Sequence, residues 1–571
     1  MNFLQTQWSS NTLLHRITQA ILPSTVFLGL LALPTPAEAI SLVKQGTFST
    51  GIFDDGAALH SAYDPLTQTL FVANGSTNQI DALNISNPEN PLLSFNIDLN
   101  PFGSVTNVAY GQGLFGVSFE NDTVTDPGSV VFFDPFGDLV EQVSVGALPD
   151  SLIFTPDGSK VLVANEGEPS DDYTIDPLGT VSIIDIATWD VLTADFQAFN
   201  NSVLGESVRI FGPNATVAQD LEPEDIAISE DGKTAFVTLQ ENNAVGVLNL
   251  ETNQFEQVLG LGFKDFSLPE NMLDASDRDD GINIQNWPVF GIYQPDELQA
   301  YSFGDETFFV TANEGDSRQY EFEDENGEEI AALDEETSVG DVVLDPDAFP
   351  NASALQQDEN LGRLEITNTL GDTDGDGDFD QLFAFGGRSF SIFNSSGELI
   401  FDSGDDFEQI TAELFPEFFN ATNDENNFDN RSDNKGIEPE GIALGTIEDQ
   451  TYAFIGLERI GGQMVYNITD PNNPFFVTYK NNRNFSVELT LDEEGDPDPT
   501  AAELTAIGDL GPEGLTFIPA EESPTGEALL VVANEVSGTT TLYAARVPEP
   551  GTILGLMAVG MLGGVRLKRK S

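Results

Sequence analysis

The architecture follows from PDSLIFTPDGSKVLVANE, residues 149–166 of the sequence. The phrase holds two short apolar runs on either side of Asp157-Gly158, a pair typical of a hairpin turn. It returns as EPEDIAISEDGKTAFVT at residues 222–238, and a third strand-like run follows each copy, at 180–185 and 244–249. Weaker copies, which bring the count to eight, start near residues 61, 106, 296, 362, 438 and 512.

A unit of three to four short antiparallel strands, repeated this often, predicts an all-β chain folded as a single β-propeller of seven to eight blades. The last unit offers only three strands, and the strand-like run at 41–49 is available to complete that blade and to cover its edge. Two stacked β-sandwich domains are the alternative. Acidic stretches at 321–361, 407–435 and 487–509 interrupt the repeat and are expected to be long, partly disordered surface loops.

The N-terminus has the pattern of a secretory signal peptide over residues 1–39. A short apolar run at 21–33 precedes Pro36-Ala37-Glu38-Ala39, where Ala37 and Ala39 supply the small-x-small cleavage pattern. The run is too short and broken for a membrane span, which needs about 20 apolar residues. A disordered or anchoring N-terminus is the alternative. The propeller is then expected over residues 40–546.

The C-terminal segment, residues 547–571, carries three features in order. Pro548-Glu549-Pro550 precedes an apolar run at 553–565, and basic residues follow at 566–570. An apolar segment ended by basic residues stops in a membrane with the charges on the cytoplasmic side. The three parts resemble the PEP-CTERM sorting signal. That resemblance implies recognition by an exosortase, cleavage near Pro548-Glu549-Pro550, and delivery to the cell surface or beyond, with the short transmembrane span as a transient anchor.

Composition limits the chemistry that the exported chain can perform. The sequence has no cysteine and only two histidines, of which His15 lies in the predicted signal peptide and His60 remains. We therefore expect neither zinc nor haem. With 20 basic and 96 acidic residues the formal charge is −76, which excludes nucleic acid and anionic membranes as partners and favours cations. Adaptation to salty surroundings is the alternative explanation of this charge.

Glutamates recur at two fixed places in the repeat. Glu224, Glu440 and Glu513 lie at the start of a first strand. At the end of a second strand lie Glu166, Glu314 and Glu535. In a propeller both places lie on one face beside the central channel, so the six side chains are expected to converge. Oxygen ligands without His or Cys indicate calcium, or else magnesium. The alternative is that these residues only cap hairpins.

A second candidate metal site is an aspartate-rich loop. It offers five carboxylates at alternate positions, from Asp372, Asp374, Asp376, Asp378 and Asp380. The spacing matches the first three-quarters of an EF-hand calcium loop, but position 12 is Phe383, so the usual bidentate Glu is missing. Another carboxylate is then needed to complete the site. A solvated acidic turn is the alternative.

Arginine is scarce, and four arginines lie in Gly- and Asp-rich segments: Arg278, Arg318, Arg388 and Arg459. An arginine beside a carboxylate-held metal ion is an arrangement typical of phosphoester sites. Arg318, Arg388 and Arg459 are therefore candidates for anion binding. The alternative is that the arginines neutralise the glutamates.

The residues that carry these motifs also resemble a known family. The phrases at 273–284, 311–318, 371–391, 456–459 and 511–519 resemble the choice-of-anchor I family, and the likeness covers roughly residues 45 to 545. The resemblance implies a β-propeller on bacterial surface proteins with interchangeable C-terminal anchors. The family is similar to the mesenchyme-specific cell surface glycoproteins of biomineralising animals, and some members carry alkaline phosphatase labels.

Two functions fit these features, and a purely structural role is the alternative to both. The first is a surface or matrix protein that binds calcium and extracellular polysaccharide or matrix. The second is a metal-dependent phosphoesterase, in which Glu166, Glu224, Glu314 and Glu440 hold ions and Arg318 or Arg388 binds phosphate. The sequence does not assign catalytic residues.

Overall fold

The computed structural model describes residues 40–547, except 55, 324–326 and 493–496. The predicted cleavage residues Ala37 and Ala39 lie outside the described residues, and so do Pro548, Glu549, Pro550 and the apolar run that follows them. Among the described helices, none has the length and apolar character that a membrane crossing needs.

The described residues form seven four-stranded antiparallel sheets, here called blades 1 to 7. Blade 1 contains Ser61–Asp64, Thr69–Asn74, Gln79–Asn84 and Leu92–Asp98. Blade 2 contains Ser104–Gly111, Leu114–Glu120, Pro127–Phe133 and Leu139–Ala147. Blade 3 contains Pro149–Phe154, Lys160–Asn165, Thr180–Asp185 and Val191–Asp195. Blade 4 contains Ile226–Ile228, Thr234–Leu239, Ala244–Asn249 and Gln254–Gly260. Blade 5 contains Leu298–Phe303, Glu306–Asn313, Ser389–Asn394 and Leu399–Asp402. Blade 6 contains Pro439–Ile447, Gln450–Leu457, Gln463–Asn467 and Phe475–Lys480. Blade 7 contains Pro512–Ile518, Leu529–Asn534, Thr539–Arg546 and Ser41–Ser49.

The blades form a closed ring around a channel. The first strand of each blade contacts the first strand of the next, and the first strand of blade 7 contacts that of blade 1. A cavity of about 130 Å³ lies at the centre, and every first strand lines it, through Ser61, Asn107, Ser151, Ile226, Gln299, Ile442 and Thr516. The predicted all-β propeller is therefore confirmed.

Burial on both faces of the blades explains why their strands are apolar runs. Val161, Leu162 and Val163 are all fully buried, although successive side chains of a strand point to opposite faces. Leu162 packs with Val237 of blade 4, whereas Val161 and Val163 pack on the side of blade 2. Each buried aliphatic side chain contributes roughly 1.5–3 kcal/mol, so contacts between blades stabilise the ring.

The ring closes as the sequence predicts. Ser41–Ser49 pairs antiparallel with Thr539–Arg546, from Ser41 opposite Arg546 to Ser49 opposite Thr539. The N-terminal strand thus becomes the fourth strand of the last blade. It covers the backbone edge that Thr539–Arg546 would otherwise expose.

The sequence repeat near residue 362 is not a blade. Between the second and third strands of blade 5 lies a long insertion, which includes the hairpin Gln319–Glu323 and Glu329–Asp334. The insertion also supplies three strands of a five-stranded sheet, whose order is Phe263–Asp265, Phe290–Ile292, Phe383–Phe385, Glu365–Thr367 and Glu336–Ser338. The strand expected after residue 362 belongs to this sheet, because its apolar residues pack in a core of their own.

The described parts of the acidic stretches are more ordered than expected. The described helices are Val217–Asp220, Ala352–Leu355, Asp406–Leu414 and Ala501–Ile507, with 3₁₀ turns at Gln197–Phe199 and Val339–Asp341. Asp406–Leu414 buries Phe407 in the core of blades 5 and 6. Ala501–Ile507 begins with a capping box between Thr500 and Glu503. Buried apolar residues and helix caps within acidic sequence therefore account for the order.

Candidate functional site

Carboxylates line one mouth of the central channel. Blades 3 to 7 each place one near the start of the first strand and one at or just after the end of the second. These mouth carboxylates are Asp150 with Glu166, Glu224 with Glu241, Asp296 with Glu314, Glu440 with Glu458, and Glu513 with Glu535. All six glutamates predicted from the sequence belong to this set.

Antiparallel pairing explains why the two positions meet. Pro149 lies opposite Asn165 in blade 3, and Pro439 lies opposite Leu457 in blade 6. Residues just beyond these pairs therefore lie on one face. The sequence reasoning missed Asp150, Glu241, Asp296 and Glu458, although each occupies one of the two repeated places. A search by position in the repeat, instead of by glutamate alone, would have found them.

Burial and like charge raise the pKa of the mouth carboxylates. Burial raises the pKa of Glu166 well above its usual value, and Glu168 and Asp150 raise it further. Burial and the neighbouring Glu241 do the same to the pKa of Glu224. The pKa of Asp150 rises to about 7, for the same two reasons. Carboxylates arranged in this way ionise together only when a cation compensates them.

The same effect operates on the other side of the mouth. Burial and then Glu513 raise the pKa of Glu440 well above its usual value. The pKa of Glu513 is raised by burial and then Glu535, while a side-chain hydrogen bond with Glu440 opposes the rise. The ionisation of one of these two carboxyl groups therefore opposes the ionisation of the other.

Several mouth oxygens are buried without a hydrogen-bond donor. Glu224 is 7% exposed, and its Oε2 atom has no hydrogen-bond partner. Glu241 Oε2 also lacks a hydrogen bond, but the guanidinium of Arg318 lies 3.6 Å from it and supplies a counter-charge. Glu440 Oε2 is likewise buried without a hydrogen-bond partner. A buried acceptor without a donor costs about 1–3 kcal/mol. Hard oxygen ligands of this kind fit calcium or magnesium.

One part of the mouth already has cationic side chains. Carboxylate oxygens of Glu314, Glu438 and Glu458 lie within 4.8 Å of one another. Lys435 Nζ lies 2.9 Å from Glu314 Oε1. Arg459 pairs with Glu438 at 2.8 Å and with Glu458 at 2.9 Å. Burial alone would raise the pKa of Glu438, but Lys435, Arg459 and Arg431 outweigh it and lower the pKa. Glu314 is thus neutralised by Lys435.

Blade 1 places His60 at the mouth instead of a carboxylate. Its Nδ1 lies 3.8 Å from Glu297 Oε1 and its Nε2 lies 3.9 Å from Glu513 Oε1, both longer than a hydrogen bond. Burial lowers the pKa of His60 to about 4. His60 is therefore neutral near pH 7 and does not compensate the mouth carboxylates.

Two of the three arginines proposed to bind anions are buried in ion pairs. Arg318 is 2% exposed, and its guanidinium contacts Asp220 at 2.8 Å and Glu222 at 2.6 Å. Arg388 is 4% exposed and pairs with Glu408 at 2.7 Å. An anion-binding role for these two is inconsistent with this burial. The geometry favours the alternative, in which they neutralise carboxylates.

Arg459 and Arg278 are more accessible than the other two arginines. The side chain of Arg459 is 23% exposed beside Glu438 and Glu458. Arg278 is exposed and paired with Asp277. Of the three anion-binding candidates, only Arg459 combines exposure with a place at the channel mouth.

The aspartate-rich loop forms two groups of carboxylates. Oxygens of Asp372, Asp374 and Asp376 lie within 4.8 Å of one another, as do those of Asp378, Asp380 and Asp345. Asp345 comes from the insertion in blade 5, and a backbone bridge between Leu344 and Phe379 brings it there. The sequence predicted one site that needs a further carboxylate; the further carboxylate in the structure, Asp345, joins Asp378 and Asp380 and not the group of Asp372, Asp374 and Asp376. Local spacing gave no signal for it, because the contact is between distant segments.

Backbone amides shape this loop. The Gly375 N–H donates to Asp372 Oδ1 at 2.7 Å, and the Thr373 N–H donates to Asp380 Oδ2 at 2.9 Å. Desolvation and Asp376 raise the pKa of Asp378 to about 6. The carboxylates of Asp374 and Asp376 are exposed, so an ion held there would be open to solvent.

Two family models match the sequence. The one described as the choice-of-anchor I domain matches residues 60–471. The one described as the PEP-CTERM protein-sorting motif matches residues 546–570.

Two curated proteins are similar over part of the chain. Gigasin-3a of Magallana gigas is 30% identical over 203 residues, which cover 34% of this chain and 67% of that protein. Mesenchyme-specific cell surface glycoprotein of Strongylocentrotus purpuratus is 28% identical over 294 residues, which cover 46% of this chain and 36% of that protein. The match therefore spans about a third of the Strongylocentrotus protein.

Solved structures show distant likenesses. Hydrazine synthase of Kuenenia stuttgartiensis has a TM-score of 0.42 at 13% identity, covering 87% of this chain and 99% of that chain. Streptogramin B lyase has a TM-score of 0.41 at 10% identity, covering 89% of this chain and 98% of that chain. The propeller assignment rests on the strand order and not on these likenesses.

Proposed function

The chain belongs to the choice-of-anchor I family and ends in a PEP-CTERM motif, and we propose that this exported surface propeller binds calcium or a similar hard cation at its channel mouth. The family and the motif account for export to the cell envelope or surface and for recognition by an exosortase-type sorting enzyme. Neither the family nor the motif implies a cation site, which we propose from the geometry of the channel mouth. Transient anchoring of the domain by the apolar run at 553–565 is part of the same proposal.

One observation carries the cation proposal. Oε2 atoms of Glu224 and Glu440 are buried and lack a hydrogen-bond donor, in a mouth where Glu166 and Glu513 also have strongly raised pKa values. A divalent cation would coordinate the oxygens that lack donors and relieve the repulsion at once. Without one, burial and mutual repulsion disfavour the ionised form of these groups.

The aspartate-rich loop is a second proposed calcium site. Asp372, Asp374 and Asp376 supply closely spaced oxygens and lie at the surface. A calcium ion takes 6–8 oxygen ligands, so an ion held by three exposed carboxylates retains positions for ligands from outside. We propose that an acidic extracellular polysaccharide or matrix polymer occupies those positions.

A metal-dependent phosphoesterase is the second candidate function. Its supporting observation is Arg459, whose partly exposed guanidinium lies beside Glu438 and Glu458 at the mouth. Arg318 and Arg388, the two arginines that the sequence proposed as phosphate ligands, are buried and do not support this function. Incubation of the purified chain with a chromogenic phosphomonoester and calcium tests this function, and the absence of turnover with every divalent metal tried would reject it.

A calorimetric calcium titration of chelator-treated protein tests the main proposal. We expect two classes of site in the wild-type chain. Glu224→Gln should weaken the mouth class at least tenfold, and Asp376→Asn should weaken only the loop class. Glu230→Gln is the matched control for the first change, because Glu230 is exposed in the same blade. No heat from the wild-type chain, or identical titrations of all variants, would overturn the proposal.

A further inference from the structure

The last strand of the ring in sequence leads directly into the sorting motif. Thr539–Arg546 is the third strand of blade 7, and Pro548-Glu549-Pro550 begins two residues after its end. The apolar run proposed as a transient anchor begins at Ile553. The short stretch 547–552, here called the tether, is therefore the whole connection between the folded blade and the anchor.

The tether begins on the face of the ring opposite the carboxylate mouth, here called the back face. Neighbouring strands of an antiparallel blade run in opposite directions, so the third strand begins where the second strand ends. In blade 7, Asn534 at the end of the second strand pairs with Thr539 at the start of the third, and the mouth residue Glu535 comes next in sequence. Arg546, at the other end of the third strand, therefore lies on the back face.

Contacts fix the point at which the tether begins. Arg546 pairs with Ser41 in the register that closes the ring. The Ala545 N–H donates to the Ala528 carbonyl at 2.9 Å, and the Arg546 guanidinium pairs with Glu527 at 2.8 Å. The tether therefore leaves the propeller from a position that blade 7 holds on both sides.

The reach of the tether is smaller than the height of the ring. An extended chain advances about 3.3–3.6 Å per residue, so the tether can span at most about 25 Å between Arg546 and Ile553. The strand Thr539–Arg546 has eight residues, which is about 27 Å at about 3.4 Å per residue. Even fully extended, the tether is no longer than the strand that separates the back face from the mouth.

Insertions add further height on the mouth face. The segment 196–225 joins the fourth strand of blade 3 to the first strand of blade 4, and both of these strand ends lie at the mouth. The hairpin of Gln319–Glu323 and Glu329–Asp334 follows the second strand of blade 5, which also ends there. A membrane against the mouth face would meet these insertions first, so the tether would have to span the blade and the insertions together.

We propose that the tether holds the propeller with its back face toward the membrane and its carboxylate mouth turned away from the bilayer. This inference rests on the proposed anchoring by residues 553–565 and deepens it. The basic residues at 566–570 stay on the cytoplasmic side, so the tether lies on the outer side of the anchor. Covalent reach sets the orientation, and no attraction between the acidic chain and lipid is needed.

The orientation decides which ligands can reach the mouth. A mouth that faces the bilayer would meet lipid headgroups, whereas a mouth on the far side of the ring is open to ions and polymers of the surroundings. The surface next to the membrane consists instead of the turns that join first to second strands, such as 229–233 in blade 4 and 519–528 in blade 7. The proposed cation site is therefore loaded from outside while the chain is still anchored.

Energy transfer from single fluorescent labels to the membrane surface tests the orientation. The chain has no cysteine, so one introduced cysteine takes one donor dye. Glu521→Cys and Glu230→Cys place exposed labels on the back face, and Ala502→Cys and Val203→Cys place exposed labels on the mouth side of blades 7 and 4. The chain with its C-terminal segment intact is reconstituted in phosphatidylcholine vesicles that carry an acceptor dye on the outer headgroups. In each blade we expect at least twofold more transfer from the back-face label than from the mouth label.

A long tether is the matched control. About twenty Gly and Ser residues inserted after Val547 form a flexible linker that lets the ring turn either way, so the two labels of a blade should then transfer equally. Flotation of the protein with the vesicles measures anchoring separately. A chain that does not float would overturn the anchoring itself. A chain that floats but transfers as much from the mouth labels as from the back-face labels, or keeps its asymmetry with the long tether, would overturn the proposed orientation alone.

Discussion

Replacing Glu224 by glutamine should stabilise the metal-free protein and impair the calcium-bound one. Glu224 is buried among carboxylates, and its folded-state pKa is raised by burial and then Glu241. When a folded-state pKa of an acid exceeds the unfolded value, the native state binds more protons between the two values. The free energy of unfolding then falls as pH rises through that window. Glutamine does not ionise, so the loss of stability that comes from ionising residue 224 in the folded state is removed.

The structure sets the scale of the effect. Asp150, in the same mouth, has its pKa raised from 3.8 to about 7. Each pH unit of such a rise costs about 1.4 kcal/mol, so ionising Asp150 without a cation costs roughly 4 kcal/mol. For Glu224→Gln we expect a gain of about 1–3 kcal/mol at pH 8, somewhat below the ionisation cost of Asp150 because the buried carboxamide also lacks hydrogen-bond partners. With about 2.1 cal/mol/K of unfolding entropy per residue, each kcal/mol is about 1 °C in Tm for a chain of this length.

Thermal unfolding from pH 5 to pH 8, with chelator and with calcium, measures these differences. In chelator, we expect Glu224→Gln to match the wild-type chain near pH 5 and to exceed its Tm at pH 8. In calcium at about 100 times the dissociation constant, the wild-type chain should gain about 2.7 kcal/mol, and the variant should gain less. Glu230→Gln should follow the wild-type chain throughout. A variant less stable than wild type in chelator at pH 8, or equally stabilised by calcium, would refute the reasoning.

Three further perturbations test other parts of the structure. Arg318→Met should destabilise the chain by about 3–5 kcal/mol in denaturant unfolding, because its buried carboxylate partners lose their cation; unchanged stability would contradict the pairing. Asp376→Asn should weaken calcium binding at the aspartate-rich loop, measured by calorimetry, without a change in unfolding midpoint beyond that of the exposed control Asp138→Asn. Deleting residues 40–49 should expose the edge strand Thr539–Arg546, which lowers the unfolding temperature and promotes self-association in size-exclusion chromatography; a monomer of wild-type stability would count against the closure.

Local repetition made the fold predictable from the sequence. The phrase at 149–166 contains a complete hairpin, and its recurrence implies identical neighbours that stack in a ring. The fourth strand of blade 7 was also predictable, because the last unit lacked a strand and 41–49 had no other partner. The repeat near residue 362 was counted as a possible blade, but its strands belong to the five-stranded sheet that contains three strands of the blade 5 insertion.

Part of the candidate site was predictable for the same reason. Glu166 and Glu224 recur at equivalent places, and equivalent places in a propeller meet at the channel. Asp150 occupies such a place but was missed, because the pattern was drawn from glutamates alone. The asymmetry of the mouth had no sequence signal. It depends on Lys435, which reaches Glu314 from an insertion 121 residues away in sequence.

Long-range contacts explain the remaining errors. Asp345 joins Asp378 and Asp380 through a bridge between distant segments, which spacing does not encode. Arg318 and Arg388 attracted attention because arginine is scarce, but scarcity does not distinguish an exposed anion ligand from a buried counter-ion. Only the packing around each guanidinium makes that distinction.

The most direct test of the central claim is a crystal structure of the chelator-treated protein after a calcium soak, with an anomalous difference map. The account predicts an ion peak at the channel mouth, coordinated by oxygens of Glu224 and its neighbouring carboxylates. A mouth without an ion peak, in a crystal whose aspartate-rich loop at 372–380 holds calcium, would contradict it.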